Sequence, residues 1–196
     1  MVIEDKTKFL ALAMFFIVLV VIGLWLELST LHFHMVLLLF SIYSLKVVKI
    51  PPIEGEISLG VWMMCIVFFI HLILQYYFQR IWRDPNEPYI IRFVLSESPG
   101  VVVYVLAPIV EELAFRGVFL GALLQAKIHW LIASCIVTIL FLAGHHPYDW
   151  TTLLVTSFLF STIYARSGKL ILVIFLHFCH NFVFRISPFF WEGLFQ

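Results

Sequence analysis

Apolar positions in this chain run in long unbroken blocks and do not alternate with polar ones, which predicts helices and argues against sheet. A membrane-crossing helix needs about 20 mainly apolar residues. Seven blocks approach that length, at 9–28, 31–48, 59–78, 100–124, 128–143, 151–164 and 170–184. The last three are short and are expected to be tilted or half-buried within a bundle. Only helices and closed barrels satisfy their backbone in lipid. The expected fold is therefore all-α, a polytopic transmembrane bundle of about seven helices around an intramembrane polar cavity.

Breakers separate the blocks. Pro51-Pro52 ends the second, and Arg83-Asp84-Pro85-Asn86-Glu87-Pro88 follows the third. Ser98-Pro99-Gly100 opens the fourth, Pro147 and Asp149 divide the fifth from the sixth, and Ser167-Gly168 divides the sixth from the seventh. Trp130 and Trp150 fall near helix ends, as in an aromatic belt. The chain carries no internal repeat. A soft boundary in the linker 79–99 separates residues 1–98, N-terminal helices without evident chemistry, from 99–188, a core holding nearly all polar residues at membrane depth.

Composition sharpens this picture. Of 196 residues, 63% are hydrophobic and 12% charged, against about 45–50% and 25% in soluble domains. Mean hydropathy is +1.05. That much apolar surface cannot fit into one core of this size, so membrane lipid is an expected partner. The formal net charge is zero, which argues against a nucleic-acid partner, for which a basic face is required. Lys6 and Lys8 before the first block resemble a signal-peptide n-region, but the block is too long and lacks a cleavage site, so a retained helix is expected. Seven Lys/Arg fall on one side and four on the other with the N-terminus inside, which favours that orientation. Cys65, Cys135 and Cys179 each sit in apolar runs without metal-ligand spacing and read as small buried hydrophobes.

The candidate chemistry begins with Glu111 and Glu112, the two acids within an apolar block. Ionisable groups there are costly and usually functional. Glu112 and Arg116 are four apart, on one helix face, and should pair. Glu111, about 100° round the helix, is left without a local partner. His145 ends the fifth block. His177 and Asn181, four apart in the seventh, can point into one space, with His180 nearby. His32, His34, His71 and His129 lack such company and read as interfacial or structural.

A carboxylate in a poorly hydrated cavity can take a proton from water, an adjacent imidazole can polarise that water, and a second donor set can stabilise an oxyanion. Those parts hydrolyse an amide without a covalent intermediate. G-x-S-x-G is absent. Glu111, His145, His146, His177 and His180 could instead ligate zinc, although H-E-x-x-H is absent and Asn181 would then have no role. No other cofactor is suggested.

These motifs are similar to those of a known family. Glu111-Glu112-Leu113-Ala114-Phe115-Arg116 resembles its E-E-x-x-x-R motif, Phe141 with His145 its F-x-x-x-H, and His177 with Asn181 its H-x-x-x-N. The stretch Ala165-Arg166-Ser167-Gly168-Lys169-Leu170 is similar to its turn before the third motif. Over residues 100–185 the chain resembles the CPBP family of CAAX prenyl proteases and bacteriocin-processing (Abi) proteins. The resemblance implies a glutamate-dependent intramembrane endopeptidase. Glu111 would be the general base, His145 would help activate water, His177 and Asn181 would form the oxyanion hole, and Glu112 with Arg116 would support the site. The implied partner is a peptide or protein substrate entering from the membrane, and the implied location is a prokaryotic cytoplasmic membrane. A non-catalytic immunity or peptide-binding role is the alternative; a transporter would need an inverted repeat, which is absent.

Overall fold

The computed structural model describes residues 2–25, 30–48, 57–81, 105–145 and 150–183. Pro51-Pro52, most of the 79–99 linker, Ser98-Pro99-Gly100 and His146 to Asp149 lie outside the described residues. Seven helices and no strand are found among those described. They are α1 (Val2–Trp25), α2 (Thr30–Ser44), α3 (Leu59–Ile81), α4, α5 (Trp130–Ala143), α6 (Trp150–Ser167) and α7 (Leu170–Asn181). Helix α4 is continuous but changes pitch. Ala107–Glu112 is α-helical, Leu113–Leu120 is π-helical, and Gly121–Gln125 is α-helical again.

The long helices are apolar on all sides, and burial decides which face turns inward. On α3 the buried positions Val61, Cys65, Phe68 and Leu72 recur at helical spacing, while Met63, Ile66, Val67, Ile70, Ile73 and Leu74 are exposed. A helix hydrophobic all round belongs in a large core or in lipid. Counted over the residues whose side chains are described, no helix is long and apolar enough to cross a membrane. The expected helices are thus present at the expected places, without a crossing being evident from any one of them. Helices α5 and α7 have 14 and 12 residues, too few for the hydrocarbon layer at about 1.5 Å per residue. Helix α6 has 18 but carries seven Ser and Thr.

Aromatic rings join the N-terminal helices to α4. Phe16 of α1 stacks on Phe119 at 4.8 Å and meets Phe115 edge-on at 5.2 Å. Phe68 of α3 contacts Phe160 of α6 at 5.2 Å. Two tight turns fix the hairpins of the C-terminal half. After α4, Ile128 N–H donates to Leu123 C=O at 3.0 Å and Lys127 N–H to Leu124 C=O at 3.0 Å, with Lys127 left-handed at φ 66°. This is a Schellman end built on a lysine where glycine is usual. After α6, Gly168 takes φ 67° and its N–H donates to Tyr164 C=O at 2.7 Å. The reversal delivers α7 back across α4.

Candidate active site

The site is built on α4 at the change of pitch. Glu111 and Glu112 end its first α-helical part, and Arg116 lies in the π-helical part that follows. Such π segments inside α-helices are frequent at functional sites. The expected Glu112–Arg116 pair forms: Arg116 Nη1 donates to Glu112 Oε1 at 3.0 Å, and both side chains are fully buried. Arg116 is also bound by α6, where Nη2 donates to Ser157 Oγ at 2.7 Å and to Ser157 C=O at 3.3 Å. Its guanidinium lies 4.5 Å from the centre of the Phe141 ring and 5.8 Å from Phe160. A buried cation with a carboxylate, a hydroxyl and two aromatic faces is a well-paired one.

His177 joins this pair from α7. Its Nδ1 lies 2.7 Å from the same Glu112 oxygen that Arg116 holds. An ionised carboxylate only accepts, so Nδ1–H is the donor. His177 Nε2 then faces Glu111, 3.8 Å from its Oε2. One imidazole therefore spans both glutamates.

Glu111, left without a local partner by the sequence, has a distant one. His34 of α2 places Nε2 2.8 Å from Glu111 Oε1. The two side chains are 14% and 13% exposed. His34, read from sequence as interfacial or structural, contacts Glu111, so residues 1–98 reach the candidate site. No sequence signal singled it out, because the contact joins residues 77 apart. Ser157 and Phe160 were missed for the same reason. The one hint was the density of hydroxyls along α6, unusual in so apolar a chain.

His145 caps the far end of α5. Its Nδ1 lies 2.7 Å from Phe141 C=O. The carbonyl accepts, so Nδ1 carries the hydrogen and neutral Nε2 presents a lone pair. Its ring lies 4.4 Å from that of Phe141, and His145 is near enough to Glu111 for a direct electrostatic interaction. Phe141 is thus a shared floor, facing Arg116, His145 and, at 6.1 Å, His177. Asn181 sits one turn beyond His177 and is half-buried. Its Oδ1 lies 3.4 Å from His180 Nδ1, a long contact that turns the amide oxygen toward His180 and leaves the NH2 group as the donor. Direct contacts therefore unite Glu111, Glu112, Arg116 and His177. His145 joins through Phe141, whereas Asn181 lies one turn beyond His177 on α7 with its contact to His180.

Among the described residues, no group of three His, Cys, Asp or Glu is arranged to hold a metal ion. His146, part of the zinc reading, lies outside the described residues.

Residues 96–183 match the family described as Type II CAAX prenyl endopeptidase Rce1-like. This match supports the resemblance of the segment to the CAAX protease family. The matched segment holds α4 to α7 and hence every motif named above; His34 lies outside it. A 24.3 kDa protein of Escherichia coli, described as uncharacterized, is 31% identical over 105 residues, covering 47% of this chain and 48% of that protein. The chain thus spans about half the length of the curated relative it matches. No solved structure matches.

Proposed function

We propose that the protein is an integral membrane endopeptidase that uses Glu111 to activate water. The observation that carries this reading is the placement of the Glu111 carboxylate between two imidazoles, at 2.8 Å from His34 and 3.8 Å from His177, in a segment that matches CAAX prenyl endopeptidases. The apolar exterior of α1 to α3 supports a lipid setting.

The reaction follows from the donors and acceptors. A water between Glu111 and the His145 Nε2 lone pair loses a proton to Glu111 as its oxygen attacks the scissile carbonyl. The Asn181 amide donates to the oxyanion that develops. His177 can join it only with a hydrogen on Nε2, since its Nδ1–H is engaged by Glu112. With such a His177, the charges of Glu111, Glu112, Arg116 and His177 sum to zero before proton transfer; after it their +1 balances the oxyanion. Collapse breaks the C–N bond, and Glu111 returns its proton to the departing amine. The products are a new carboxylate and a new amino terminus. Glu112 and Arg116 hold His177 and the pitch change of α4 in place.

The substrate class this supports is a peptide whose scissile bond lies near the C-terminus of a lipid-modified or membrane-anchored segment. The test is incubation of the full chain in proteoliposomes with a farnesylated peptide ending in a CAAX tetrapeptide, and with an unprenylated transmembrane-tail peptide, followed by mass spectrometry. Cleavage of either near its C-terminus, unaffected by a zinc chelator, is expected. Intact peptides from folded protein would favour the non-catalytic binding role. Loss of activity on chelation, restored by zinc, would replace the carboxylate mechanism with a metal one.

A further inference from the structure

The matched catalytic segment begins at residue 96, yet the shortest contact to Glu111 comes from α2. We propose that His34 is a positioning residue for the general base, so that the N-terminal helices complete the active site as well as anchor it. This inference rests on the reading of Glu111 given above.

The geometry divides the work between the two carboxylate oxygens. Glu111 Oε1 accepts from His34 Nε2–H at 2.8 Å, while Oε2 is the oxygen nearer His177, at 3.8 Å. A carboxylate on a two-bond stem rotates freely unless one oxygen is pinned. With Oε1 pinned from α2, the plane of the group is set and Oε2 is directed toward His177 and the attacking water. His34 itself is braced: its ring meets that of Phe33 edge-on at 6.4 Å, and α2 packs along both the first part and the π-helical part of α4. Arg116 and Glu112, by contrast, direct their hydrogen bonds to each other, to Ser157 and to His177. Position matters because reacting groups must be held to within about an ångström; a displacement of that size can cost on the order of 100-fold in rate.

The experiment compares wild type, His34→Ala, His34→Gln, His32→Ala and Glu111→Gln in proteoliposomes, each checked for monodispersity, on the farnesylated CAAX peptide. His34→Ala is expected to lower kcat by about 10- to 100-fold with KM changed little, because the residue does not touch substrate. His34→Gln, whose amide N–H can reach Oε1, should recover most of the loss, and His32→Ala should behave as wild type. A merely structural role would lower the amount of folded protein without that split and without rescue by Gln. Wild-type turnover by His34→Ala, with Glu111→Gln inactive, overturns the inference and leaves the function standing. Full activity of Glu111→Gln overturns the function and this inference with it. A second readout needs no substrate. In nanodiscs, the ring-15N resonance of His34 should move on Glu111→Gln and stay put on Asn181→Ala; a His34 signal indifferent to Glu111→Gln removes the contact and the proposal.

Discussion

Among the described residues Arg116 is the bulkiest side chain with no exposure, and its environment explains why it is tolerated. One face of the guanidinium fork serves Glu112, the other serves Ser157, and aromatic rings cover its plane. Removing one partner of such a pair leaves a buried charge uncompensated, at a cost of about 3–5 kcal/mol. Arg116→Ala is therefore expected to lower the thermal midpoint in detergent strongly. Arg116→Lys should rescue little, because an ammonium cannot present two parallel donors. Asn181→Ala should leave stability intact and slow turnover by on the order of 100-fold, as loss of one oxyanion donor does; initial-rate kinetics measure it. A loss of folded protein without a change in kcat would make Asn181 structural. Sequence spacing made local relations readable. Glu112 with Arg116 obeys the four-residue spacing, and His177 with Asn181 shares a face. His34 and Ser157 were not legible, since contacts over 77 and 41 residues leave no periodic trace.

At the level of elements, hydrophobic runs located all seven helices, because an apolar block of helical length has few other ways to bury its backbone. Two features escaped that signal. Pitch is set by backbone hydrogen bonding, so the π-helical Leu113–Leu120 looks in sequence like any apolar α-helix. The block boundary at 124 marked where α4 ends, but the geometry of the turn was hidden: Lys127 takes a left-handed conformation without the glycine that would announce it. An L-residue there carries strain of about 1–2 kcal/mol, part of which glycine would offset through its greater freedom when unfolded. Lys127→Gly is expected to raise stability by about 1 kcal/mol, read as an upward shift of the thermal midpoint in detergent. A fall would mean that the lysine side chain contributes more at this turn than its backbone costs.

For the molecule as a whole, polar groups from α2, α4, α5, α6 and α7 converge while apolar side chains face outward. Met14, Phe15, Leu39, Ile66, Ile139 and Phe175 are all more than half exposed, a surface that water would penalise at roughly 25 cal/mol per Å². The protein should stay with the membrane pellet through an alkaline carbonate wash and leave it only with detergent; release by carbonate alone would remove the lipid setting. Composition raises the expectation of that setting but does not say which face of each helix turns inward, since apolar positions surround α1 to α3 on every side. The account stands or falls on Glu111 as the base, and turnover of the Glu111→Gln protein on a cleavable prenylated or tail peptide tests it most directly. The expected result is a folded variant, with a thermal midpoint close to wild type, that cleaves nothing above background. Cleavage by Glu111→Gln at a rate comparable to wild type would contradict the account.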